Sequence, residues 1–130
     1  RGAVLVTDAI IAMGLQPGRY QFGQRTVEIV GPQQVKRPAN GAASSDSEAE
    51  EEDEVGRAFV AGSKTLAGSI APMDSCVRNF RRFTSCSVPE ALAAATEHPA
   101  RVIGLEGKKG TLAFGADADL VLLSPDLKVV

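Results

Sequence analysis

The sequence predicts an α/β fold, on three observations. Val4-Leu5-Val6-Thr7-Asp8 is an apolar run that ends abruptly in a carboxylate. An unbroken Val/Leu run reads as a strand buried on both faces, as in a parallel sheet covered by helices. Helical patterns then occupy residues 69–105, and a second apolar run, Leu120-Val121-Leu122-Leu123, follows them. An acid placed where a buried strand meets its loop stands where an α/β barrel keeps its catalytic groups. The chain has 130 residues, against about 250 for a complete eight-stranded barrel. The neighbours of the first strand are therefore expected outside it.

Composition narrows the class. Hydrophobic residues make up 44% of the chain, with five Phe, one Tyr and no Trp, so the core must be aliphatic and rich in alanine. No run approaches the roughly 20 apolar residues of a membrane span, and no basic-then-apolar leader is present. Cys76 and Cys86 lack a metal-binding spacing and are read as reduced thiols, which suits a cytoplasmic setting. The chain has one histidine, His98, so it cannot assemble a multi-histidine metal centre by itself.

Charge is concentrated in one place. Ser44 to Glu54 holds seven of the 16 acidic residues; the other nine face 14 Lys and Arg, leaving the remainder at +5. Low hydrophobicity and high charge predict a disordered acidic loop over Lys36–Gly56, entered through Pro38, Asn40 and Gly41. Such a tract could dock a basic partner, with Ser44, Ser45 and Ser47 open to phosphorylation. A tolerated surface insertion is the favoured reading.

The elements follow in order. Arg19 to Val30 alternates as a hairpin, with Tyr20, Phe22, Val27 and Ile29 as its apolar positions and Gly23-Gln24 as its turn. Ala58 to Ala61 reads as a short returning strand. Gly62 to Ser69 is a small-residue loop in which Gly68 lets a ligand approach the backbone closely. It lacks the residue order of a phosphate-binding P-loop. A helix follows, with Ser69 near its cap and Pro72 in its first turn. Met73, Val77, Phe80 and Phe83 or Thr84 share its inner face, and Asp74 and Arg78 form a weak outer pair. Arg78, Arg81 and Arg82 read as a solvated face. No stacking aromatics interleave them, so a nucleic-acid patch is not indicated.

Ser87-Val88-Pro89-Glu90 fits a capping box and starts a second helix running to Thr96. Pro99 ends it or begins another, and His98 is expected to bond terminal helix carbonyls at that junction. Arg101 to Leu105 predicts a short helix closed near Gly104. Gly110 to Asp119 then reads as a strand and a Gly/Asp turn. Leu120 to Leu123 is a buried strand stopped by Ser124-Pro125, and Leu127 to Val130 begins a further one. Asp117 and Asp119 have the look of a paired-carboxylate site, but turn chemistry accounts for both.

Four segments together carry a resemblance: Leu5-Val6-Thr7-Asp8-Ala9, Lys64-Thr65-Leu66-Ala67-Gly68-Ser69, His98-Pro99-Ala100, and Gly110-Thr111-Leu112 with Gly115-Ala116-Asp117-Ala118-Asp119. The set resembles the N-acetylglucosamine-6-phosphate deacetylase family of the amidohydrolase superfamily, over nearly the whole chain except the acidic loop. The tail pattern is common to many amidohydrolases. The Thr-Asp-Ala strand end combined with Thr-Leu-x-Gly-Ser is more specific to the deacetylases.

The resemblance implies the C-terminal third of a metal-dependent (β/α)8 barrel enzyme. Residues 1–109 would be closing parts of the barrel and 110–130 incomplete returning strands of a small β-sandwich. It makes Asp8 the general base and then the general acid, working on a water whose pKa a divalent metal, zinc or similar, has lowered. It makes Leu66, Ala67 and Gly68 the substrate-binding segment. The implied substrate is a phosphorylated amino sugar, hydrolysed to glucosamine 6-phosphate and acetate by a homodimer, with neither nucleic acid nor membrane as partner. The family's metal ligands, a Glu and two His, would lie outside this chain, leaving these residues inert alone. Two other readings stay open: a dihydroorotase- or deaminase-like amidohydrolase, and an interaction module built on the acidic loop.

Overall fold

The computed structural model describes residues 2–32 and 55–130. Of the predicted acidic loop, residues 36–54 lie outside the described residues. The contacts divide the chain into two compact units, Asp8–Ala71 and Arg1–Thr7 with Pro72–Val130.

Unit Asp8–Ala71 is built on a four-stranded sheet of order β1-β2-β3-β4, from β1 (Gly18–Phe22), β2 (Arg25–Val30), β3 (Arg57–Val60) and β4 (Leu66–Gly68). Each neighbouring pair is antiparallel. The predicted hairpin forms in register, with Tyr20 opposite Val27 and Arg19 opposite Glu28. Gly23 takes the left-handed φ of 59° that its tight two-residue loop requires. Alternation fixes the inner face: Val27, Ile29 and Ala58 are buried. The Tyr20 and Phe22 rings stack with centroids 6.3 Å apart. The predicted return at Ala58 is β3.

The second half of the predicted small-residue loop is a strand instead. A turn at residues 61–64 brings Leu66–Gly68 back against β3, because Thr65 accepts from the Val60 N–H at 2.9 Å and closes the turn.

In the other unit, α1 (Met73–Thr84), α2 (Val88–Ala95) and α3 (Glu97–Val102) follow one another. Ser69 is not the cap of α1. Pro72 holds that position without a side-chain bond, while the Ser69 hydroxyl accepts from the Ala71 N–H at 3.2 Å. Val77 of α1, Ala91 of α2 and Leu127 form the core, with Leu5, Phe80, Val88, Leu92 and Leu123 packed around them. Met73 and Phe83 are exposed, so the apolar stripe of α1 is narrower than its spacing predicts.

Asp74 and Arg78 are also more than an outer pair. Their side chains are only 17% and 21% exposed and meet at 2.9 Å. Arg78 donates further to the Leu127 carbonyl at 3.0 Å and to Ser75 Oγ at 2.7 Å. Burial opposes ionisation of Asp74, but hydrogen bonds from Arg78 and the Ser75 N–H, with the guanidinium charge, hold its carboxyl below the usual carboxylate range.

The capping box of α2 forms as the sequence predicts: Glu90 Oε2 accepts the Ser87 N–H at 2.9 Å, and Ser87 Oγ accepts the Glu90 N–H at 3.4 Å. The third helix begins at Glu97 rather than Arg101. Thr96 breaks α2 with φ −128° and Pro99 enters the first turn that follows. Its closure near Gly104 is as predicted, with φ 75° there and the Leu105 N–H donating to Ala100 O at 2.8 Å.

Four predicted strands do not form ladders among the described residues. Val4 to Asp8 pairs with no strand among the described residues, with Leu5 turned toward the core while Val4 and Val6 are exposed. It alternates rather than being buried on both faces. Gly110 to Asp119 is irregular. Leu120 to Leu123 and Leu127 to Val130 meet only in the bridge between Leu123 and Val129, with Leu120, Val121 and Leu122 exposed. A strand is stabilised by backbone partners, and apolar patterning alone cannot supply them. The α/β class holds, with the antiparallel sheet in one unit and the three helices in the other.

Candidate functional site

Asp8, Leu66, Ala67 and Gly68 are brought together within the unit Asp8–Ala71. Asp8 has φ 45°, a left-handed conformation that Asp tolerates better than most residues. Its side chain is exposed and takes no hydrogen bond or ion pair among the described residues. Immediately after it, Ala9 bridges Ser69 in parallel, and the Ile10 N–H donates to Ser69 O at 2.9 Å. The chain then turns away through Met13 N–H to Ile10 O at 3.0 Å, anchored by the fully buried Ala12.

Gly68 is the close-approach point on the other side. A Cβ built there would stand 2.5 Å from Ile10 Cγ2, so only glycine lets β4 lie against the segment that follows Asp8. Ala58 pairs with Gly68 and Phe59 with Leu66, which leaves Ala67 as the extra residue of a β-bulge. β4 is also the last strand of its sheet. Its outward backbone N–H and C=O groups are the kind an edge strand offers to a ligand. Leu66 presents an exposed side chain at the start of this strand. The arrangement can therefore set an exposed carboxylate beside a backbone-rich edge, which suits binding a polar substrate and moving a proton on it.

Ile10 and Ser69 are the positions the sequence reading missed. The residue pattern places Ser69 near a helix cap, and nothing in it signals that Ala9 pairs with Ser69 across 60 residues. The other candidates are absorbed structurally. Asp117 and Asp119 both pair with Lys109, the former at 2.9 Å. Their carboxylates, Asp119 first, raise the Lys109 ammonium above its ordinary range. His98 does not bond a helix-terminal carbonyl: its Nδ1 lies 2.8 Å from Ala3 O. Both cysteines are free thiols, and burial pushes Cys76 up, with help from Asp74. Among the described residues no group of three or more His, Cys, Asp or Glu gathers to hold a metal ion. The described side chains alone do not fit a metal centre.

A profile of the amidohydrolase family matches residues 46–130. The chain belongs to the amidohydrolase family. Among curated relatives of this amidohydrolase, N-acetylglucosamine-6-phosphate deacetylase of Homo sapiens is 49% identical over 99% of the chain, and that of Bos taurus 48% over 99%. The chain spans about a quarter of their length, 26% in each case. Of solved structures, the deacetylase of that name from Thermotoga maritima is 34% identical with a TM-score of 0.66, matching 98% of this chain and 28% of its own. A mutant N-acetyl-D-glucosamine-6-phosphate deacetylase from Mycobacterium smegmatis, solved with N-acetyl-D-glucosamine-6-phosphate, is 31% identical with a TM-score of 0.65, over 97% of this chain and 27% of its own.

Proposed function

We propose that this chain supplies the proton-transfer carboxylate and part of the sugar-contacting backbone of an N-acetylglucosamine-6-phosphate deacetylase. The whole enzyme would hydrolyse the acetamido group to glucosamine 6-phosphate and acetate. The observation that carries the reading is the seating of Asp8 beside the bulged edge Leu66–Gly68, in a family member 49% identical to a deacetylase of that name.

In this mechanism the Asp8 carboxylate accepts a proton as water adds to the acetyl carbonyl. It then returns that proton to the nitrogen as the C–N bond breaks, so one carboxylate serves both halves of the reaction. An exposed carboxylate is suited to the first step, and exclusion of water by bound sugar would favour the second. Leu66, Ala67 and Gly68 hold the sugar through backbone groups. A divalent metal ion, zinc or similar, would lower the pKa of the attacking water in the complete enzyme, and its ligands are not among the described residues. Residues 1–109 then belong to the closing part of a (β/α)8 barrel and 110–130 to a β-sandwich, in a cytoplasmic homodimer. Among the described residues no helix is long and apolar enough to cross a membrane.

A substrate panel on the intact protein tests the reading. Acetate release from N-acetylglucosamine 6-phosphate, with no turnover of dihydroorotate or cytosine, is the expected result. The reverse pattern would assign the chain to another branch of the amidohydrolases.

A further inference from the structure

We infer that His98 is a positioning residue whose imidazole pins the segment Gly2–Thr7, the stretch of chain that runs directly into Asp8. The inference deepens the deacetylase reading and rests on it for its kinetic consequence, though the pin itself does not.

The geometry is specific to one ring atom. His98 Nδ1 lies 2.8 Å from Ala3 O. A carbonyl can only accept, so Nδ1 carries the proton. Gly2 lies over the same ring: a Cβ built on it would overlap the imidazole at Cε1, Nδ1 and Nε2. Only glycine leaves room there, because any side chain would push the ring away and break its bond to Ala3. A second tie follows two residues on, where the Leu5 N–H donates to Ala94 O at 2.8 Å. Leu5 itself packs on the Val77–Ala91–Leu127 core. The segment is therefore held at Gly2, Ala3 and Leu5, all by residues of α2 and α3 or the core beneath them.

These ties have a purpose that the sequence pattern did not predict. Val4–Thr7 has no strand partner among the described residues, so the ordering a ladder would give is supplied instead by one backbone bond, one apolar anchor and one histidine. His98 is half-buried at the start of α3. Loss of its bond leaves the stretch leading to Asp8 tied only at Leu5. Small displacements of a reacting group cost rate steeply while leaving substrate affinity largely alone.

Atom position provides the test. The amide nitrogen of Asn is attached to Cγ, as Nδ1 of His is, whereas that of Gln sits one carbon further out, near the place of Nε2. In the intact enzyme, His98→Gln and His98→Ala should each lower kcat for N-acetylglucosamine 6-phosphate about fivefold or more, the factor one hydrogen bond is worth. KM should stay within about twofold, and His98→Asn should restore kcat to near wild type. Gly2→Ala should behave as His98→Ala does. Hydrogen exchange at the Leu5 amide and its neighbours should quicken in the Gln and Ala variants and not in the Asn variant.

Equal kcat and equal exchange across the series would overturn the pin, as would rescue by Gln rather than Asn. Wild-type protein without deacetylase turnover would instead overturn the functional reading, and the exchange measurements would still judge the pin. If His98→Ala fails to fold, the Asn and Gln pair carries the comparison.

Discussion

Replacing Asp8 by Asn separates chemistry from stability, because the structure makes the two effects unequal. The side chain is exposed and unpartnered among the described residues, so losing its charge should change folding stability by no more than about 0.5 kcal/mol. Its φ of 45° lies where Asn is as comfortable as Asp, so the backbone at the start of the Ala9–Ser69 bridge keeps its path. The amide, however, can neither take a proton from water nor deliver one to the departing amine. Loss of a general acid/base costs at least about 100-fold in turnover, equivalent to about 2.7 kcal/mol of barrier. Asp8→Ala should lose the same activity and in addition about 1 kcal/mol of stability, since alanine is strained in the left-handed region. The assay is acetate release by the intact protein, with thermal unfolding on the same preparations. Turnover of the Asn variant within a few-fold of wild type would refute the role of Asp8. A large loss of stability in that variant would refute the claim that its backbone conformation is retained.

Two other perturbations follow from the packing. Gly68→Ala sets a Cβ 2.5 Å from Ile10 Cγ2, and such overpacking should cost about 1–3 kcal/mol in denaturant unfolding. Ile10→Ala in the same chain should return part of that loss, whereas strictly additive effects would show that the two residues do not press on one another. Asp74 is held below its ordinary pKa, so its ionised pairing with Arg78 stabilises the folded chain above the unfolded value and is lost as pH falls through the lower folded one. The stability difference between wild type and Asp74→Asn should be full at about pH 6 and shrink below about pH 4; a difference that grows on acidification would reverse the sign.

The parts of this fold legible in the sequence are those whose signals are local. The Arg19–Val30 hairpin is specified by alternation and Gly23, and the second helix by the Ser87/Glu90 box; both depend on residues within a few positions of one another. Leu120 to Leu123 reads as a strand for the same local reason, yet among the described residues Leu123 alone finds a bridge there, because apolar pattern records a tendency and a ladder needs a partner. At the candidate site the pattern marks Asp8 and the small residues Leu66–Gly68. It does not mark Ile10 or Ser69, whose parts depend on a pairing between distant segments. Arg78 shows the same limit: spacing predicts its partner Asp74 but not the Leu127 carbonyl 49 residues away.

The central claim is that Asp8 and the Leu66–Gly68 edge form one site for an N-acetylated sugar phosphate. A crystal structure of the intact Asp8→Asn protein with N-acetylglucosamine 6-phosphate bound tests it most directly. The account predicts the residue-8 side chain within hydrogen-bond distance of the acetamido group, with backbone atoms of Leu66–Gly68 against the sugar. A sugar bound away from both segments would contradict it.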